Sequence, residues 1–142
     1  MAMREYQQPP RAETETVWKI RLPLLRNTAA RNYNEELMDS VLSYIHTNYN
    51  NPITLSKISM DLDIEVRNIK TLFNKCLNTS FSEYLQQYRL TMTCELLTQT
   101  NISVTEICKK CGIYNIYFSR VLKERTGFTP LTYRRQYHRH DL

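Results

Sequence analysis

TLSKISMDLDIEVRNIKTLF, residues 54–73, returns 49 residues later as SVTEICKKCGIYNIYFSRVL, residues 103–122, with no gap. Thr54/Ser103, Leu55/Val104, Ile58/Ile107, Ile64/Ile113, Ile69/Phe118, Leu72/Val121 and Phe73/Leu122 match in character at that offset. Each copy opens on a hydroxyl residue suited to cap a helix, Thr54 in the first and Ser103-x-x-Glu106 in the second. A short helix comes next, with Leu55, Ile58 and Leu62 inward, or Val104, Ile107, Cys108 and Cys111 in the second copy. Asp63-Ile64-Glu65 and the stretch after Gly112 supply tight turns. A second helix then buries Ile69, Leu72, Phe73 and Cys76, or Phe118, Val121 and Leu122. Helix, turn and helix, written twice, predict two helix-turn-helix units.

Outward from this core, Leu37, Met38, Val41, Leu42, Ile45 and Tyr49 recur at helical spacing before Asn50-Asn51-Pro52 ends the run. Asn78 and Gly127 match at the same offset and suit a left-handed helix end, as do Ser80/Thr129 and Tyr84/Tyr133 at the next elements. Ser80-x-x-Glu83 reads as a capping box opening a long helix from about Ser82 to Gln99. Its expected inward stripe is Phe81, Tyr84, Leu85, Tyr88, Met92 and Leu96. Pro130 starts a last helix that ends in the basic stretch Arg134, Arg135, His138 and Arg139. The expectation is an all-α chain of about seven helices. Residues 1–33 form a tail or linker, in which Trp18 marks a possible docking segment. Residues 34–142 form one domain, divided into a first unit at 34–80, a linker helix at 81–100 and a second unit at 101–142.

The 142 residues carry 19 basic and 14 acidic side chains, a formal charge of +5 and a pI near 9.1. That excess suits a polyanion when it falls on the right faces. No run is long and apolar enough to span a membrane, and the start lacks the order of a signal peptide, so the chain reads as cytoplasmic. Four cysteines then read as reduced thiols, and Cys108-x-x-Cys111 as core packing, since both fall on an inward face. Tyr137-His138-Arg139-His140 reads as a frayed basic end rather than a metal site. Both glycines fall on turns, and no nucleophile–base pair or carboxylate dyad can be placed. The reading is not an enzyme, with no cofactor and no metal.

Helical period also marks the outward faces. With Ile69, Leu72, Phe73 and Cys76 inward, Arg67, Lys70, Thr71 and Asn74 lie outward, and the second copy presents Ile116, Ser119, Arg120 and Lys123. Arg67 and Arg120 have the donor geometry for a guanine edge, while Thr71 and Ile116 suit a thymine methyl. The candidate base contacts are Arg67, Lys70, Thr71, Ile116, Ser119 and Arg120. Asn74, Lys75 and Lys123 are candidates for phosphate, joined by free N–H groups at the helix starts near Leu55 and Val104. Double-stranded DNA offers major-groove faces about 34 Å apart, which a tandem pair could read as a monomer. The alternative is a protein-interaction module or antagonist that keeps the fold without specific DNA binding.

Phe81-Ser82-Glu83-Tyr84-Leu85, Tyr88-Arg89-Leu90 and Glu95-Leu96-Leu97 resemble the linker helix of AraC/XylS-type transcription regulators. Ile102 through Ile107 fits the same pattern, as does Tyr117-Phe118-Ser119-Arg120-Val121-Leu122-Lys123-Glu124-Arg125-Thr126-Gly127-Phe128-Thr129-Pro130 leading to Tyr133-Arg134. The resemblance spans roughly residues 36–136. Departures are Ser59, Thr93 and Cys108 where alanine is common, Asn78 for the usual glycine, and Ile113 for an aromatic. The turn Gly112-Ile113-Tyr114-Asn115 is one residue shorter than the family's usual second turn. The resemblance implies two helix-turn-helix subdomains joined by a helix, specific DNA binding, and activation through contact with RNA polymerase. It also implies that a dimer is possible if a regulatory domain belongs to a longer protein.

Overall fold

The computed structural model describes residues 33–138; the Trp18 segment, Arg139 and His140 lie outside them. Seven helices and no strand occur among the described residues. They are α1 (Tyr33–Asn48), α2 (Leu55–Leu62), α3 (Val66–Leu72), α4 (Phe81–Gln99), α5 (Val104–Cys111), α6 (Asn115–Thr126) and α7 (Pro130–Tyr137). A single π-helical turn, Phe73–Leu77, continues α3.

Local sequence fixes the element ends. The side chains of Thr54, Ser80, Ser103 and Thr129 each accept the backbone N–H three residues on, at 3.1–3.2 Å. Glu83 does not complete its box by reaching back to Ser80; its carboxylate accepts the Thr79 hydroxyl at 2.8 Å. Four left-handed residues stop the helices: Asp63 (φ 60°), Asn78 (φ 54°), Gly112 (φ 73°) and Gly127 (φ 83°). They stand in two pairs at the 49-residue offset. The two inner turns, 63–65 and 112–114, are therefore equal in length, each running from a left-handed residue through isoleucine to an extended N-cap.

Within the described residues the chain divides into two compact units that meet inside α4, between Tyr88 and Arg89. In the first, Met38, Val41, Leu42 and Ile45 of α1 share a core with Ile58, Ile64, Ile69, Leu72, Phe73, Phe81, Tyr84 and Leu85. In the second unit Leu90, Cys94, Leu97, Ile107, Cys108, Cys111, Phe118, Val121, Leu122 and Tyr133 are buried. Cys76 is only half-buried against the first core, and so is Leu37.

The single stripe expected along α4 is not what the helix buries. Its first half buries Phe81, Tyr84 and Leu85, but its second half buries Leu90, Thr91, Thr93, Cys94 and Leu97, leaving Met92 and Leu96 half-exposed. At about 100° per residue the second set lies roughly half a turn round the helix from the first. The reason is that α4 serves as two elements in succession. Leu90, Thr91 and Cys94 stand 49 residues after Val41, Leu42 and Ile45, so the second half of α4 corresponds to α1. Phe81, Tyr84 and Tyr88 stand 49 residues before Pro130, Tyr133 and Tyr137, so its first half corresponds to α7. The repeat covers four helical elements, not two.

Candidate nucleic-acid interface

The second helix of each unit carries the candidate reading face. In α3, Ile69 and Leu72 are buried, which turns Arg67, Lys70 and Thr71 to solvent; all three are exposed, as are Asn74 and Lys75 on the π turn. Thr71 donates its hydroxyl to the Arg67 carbonyl at 3.0 Å. In α6, Phe118, Val121 and Leu122 are buried, and Ile116, Arg120 and Lys123 are exposed. Ser119 is only half-buried, and its hydroxyl donates to Asn115 Oδ1 at 3.2 Å. The Asn115 amide in turn donates to Thr105 Oγ1 of α5 at 3.2 Å, tying the two helices across their turn.

Arg120 lies along its own helix. Its guanidinium sits 5.3 Å from the centre of the Tyr117 ring and 3.6 Å from the Glu124 carboxylate, both one turn or less away. An exposed pair of this kind contributes little, so Arg120 can exchange Glu124 for another anion. The starts of α2 and α5 have one N–H each taken by Thr54 and Ser103. Lys109 and Lys110 add exposed cations to the last turn of α5.

Periodicity passed over Tyr114. It is the N-cap of α6, in extended conformation and 85% exposed, beside Ile116 at 83%. A cap residue lies outside the helical period, but the 49-residue offset aligns Tyr114 with exposed Glu65 and marks it as outward.

Two residues of the C-terminal basic stretch, Arg134 and His138, bond to backbone carbonyls of their own unit. Arg134 donates from Nε to the Leu97 carbonyl at 2.8 Å and from Nη2 to the Ile102 carbonyl at 2.5 Å, satisfying acceptors around the end of α4. His138 is not frayed either, since its Nε2 meets the Thr100 carbonyl at 3.2 Å. Cys108 and Cys111 are buried, and burial together with Cys111 pushes the Cys108 thiol up to about 11. Among the described residues no three metal-ligating side chains converge, and no helix is long and apolar enough to cross a membrane.

A family model described as a helix-turn-helix domain matches residues 58–136, more than half of the chain. A solved transcriptional regulator of the AraC-type DNA-binding-domain group from Chromobacterium violaceum is 25% identical with a TM-score of 0.66, over 77% of this chain and 99% of that one. The chain belongs to the AraC-type helix-turn-helix family. Relatives include the uncharacterized HTH-type transcriptional regulator YfiF of Bacillus subtilis, 32% identical over 71% of this chain and 32% of its own length. The HTH-type transcriptional activator RhaR of Cronobacter sakazakii is 28% identical over 72% of this chain and 36% of its own length. The chain thus spans about a third of the length of each of these two relatives.

Proposed function

We propose that this chain binds double-stranded DNA sequence-specifically, placing α3 and α6 in successive major grooves, and acts in the cytoplasm as a transcription activator that contacts RNA polymerase. The observation that carries the reading is the equal register of the two reading helices. Arg67, Lys70 and Thr71 align with Ile116, Ser119 and Arg120 behind turns of the same length. A buried inner face and an outer face of mostly polar, exposed residues on each helix supply what a groove requires. Asn74, Lys75 and Lys123, further along each helix, would meet phosphate and orient the helices without reading sequence. With two units on one chain, a monomer suffices.

The test is selection of bound duplexes from a random library, then footprinting of the winner. Two short motifs about one helical turn apart, both protected, are expected. Arg67→Ala should cost about 1–3 kcal/mol and relax one base pair. Uniform weakening with a shallower salt dependence would make Arg67 a phosphate contact instead. No enrichment, with weak and salt-sensitive binding, would favour a protein-interaction role.

A further inference from the structure

We propose that the two units read different base chemistry: the second takes an A·T half-site through thymine methyl groups packed on Tyr114 and Ile116, and the first takes a G·C half-site. This rests on the DNA-binding reading above. The equal turns allow the faces to be compared position by position. Glu65 and Arg67 of the first unit align with Tyr114 and Ile116 of the second, and all four are exposed. The first pair offers an acceptor and a forked cationic donor, the chemistry that suits the cytosine amino group and the guanine edge. The second pair offers two apolar surfaces, 85% and 83% open to water, where hydration is unfavourable until something apolar covers them.

The two neutral polar groups beside that pair, Asn115 and Ser119, are hydrogen-bonded to each other. The Asn115 amide, which could otherwise read adenine, donates to Thr105 and accepts from Ser119. The same bond occupies half-buried Ser119. Arg120 lies over Tyr117 with Glu124 against it, an exposed pair it can exchange, so it supplies a cation about one turn beyond the apolar pair. What remains at the start of α6 is a tyrosine ring and an isoleucine. In a major groove the apolar feature that distinguishes one base from another is the thymine 5-methyl. Lys123, two turns further along α6, and Lys109 and Lys110 of α5 are exposed cations on the same unit, suited to a polyanion rather than an apolar partner.

The experiment replaces thymine by deoxyuridine in a duplex selected with the unaltered chain, removing the methyl while keeping every hydrogen-bonding group. Half-sites are assigned first, by which motif relaxes in Arg67→Ala and which in the double variant Tyr114→Ser/Ile116→Ser. Both substitutions are at exposed positions, and circular dichroism checks that the variants keep their helices. In the half-site that tracks with Tyr114 and Ile116, each methyl removed is expected to lower affinity about fourfold. The double variant should lose that sensitivity, and in the other half-site uridine should matter only at a thymine that faces Thr71. Two selected half-sites with no loss on uridine substitution would overturn the inference and leave the DNA reading standing. No selected sequence at all, with the double variant binding as the parent does, would overturn both and make the exposed pair a protein-docking patch.

Discussion

The first and second units place matching helices and left-handed stops at a 49-residue offset, and hold them with different residues. Where the second stops its helices at Gly112 and Gly127, the first does so at Asp63 and Asn78, in the same left-handed region. Where the first buries Leu85 in an apolar core, the second has Arg134 at the same offset, its guanidinium spent on two carbonyls. Tyr84 and Tyr133 occupy one position and are both buried, but Tyr84 shares a hydrogen bond of 2.6 Å with His46, while Tyr133 packs against Tyr137 and Phe128. The register of the repeat is therefore set by shape and helix length. The chemistry at each position is free to differ, including on the outward faces.

The sharpest way to break this equivalence is at the paired tyrosines. Tyr84→Ala and Tyr133→Ala should each destabilise the protein by about 3–5 kcal/mol, as truncating a large buried ring does. Chemical denaturation of the whole chain measures both, and a large cost for only one would mean that the two positions are not equivalent. Next comes Arg134→Leu, which restores the first unit's residue type but abandons the Leu97 and Ile102 carbonyls. A loss of about 1.5–3 kcal/mol is expected, against near-neutrality if apolar packing alone mattered there. Smaller and opposite in sign are the helix stops. Asp63→Gly and Asn78→Gly should each stabilise by up to about 1 kcal/mol, and Gly112→Ala and Gly127→Ala should each cost about 1–2 kcal/mol. Thermal melts resolve both directions.

The smallest effect is confined to the first unit. His46 stacks on Tyr88 at 4.3 Å and is half-buried, and that burial lowers its pKa below the ordinary histidine value near 6.5. The unfolded chain therefore takes up a proton at a pH where the folded His46 does not. Stability is fully present above about 6.5 and falls as acid is added, until the folded group also titrates. Melting temperature tracked from pH 7 downward should drop less in His46→Gln than in the parent. Parallel curves would remove His46 as a source of the dependence.

Much of the fold was legible because its signals are local and doubled. Thr54, Ser80 and Ser103 cap where hydroxyls were expected, and Asn78 takes the left-handed conformation that its glycine-like position predicts. The two halves of α4 were not legible from one periodicity. Tyr88, Met92 and Leu96 continue the first stripe, although the buried face changes after Tyr88. Aligning Leu90 with Val41 and Cys94 with Ile45 would have revealed it. Arg134 stood in the sequence only as part of a basic stretch, because sequence does not announce which carbonyls lack a donor. At the candidate site, the outward positions of α3 and α6 came from period, whereas Tyr114 did not, since a cap residue belongs to no period.

The split identity of α4 makes it a shared element, whose first half closes one round of the repeat and whose second half opens the next. Tyr88 and Tyr137 end equivalent stretches, and the backbone differs at the residue after each. Arg89 stays helical and begins another round; His138 turns to an extended backbone (φ −66°, ψ 141°) and ties itself to Thr100. The same stretch can thus be a whole helix or the first half of a longer one, and the backbone angles of the residue after its tyrosine distinguish the two.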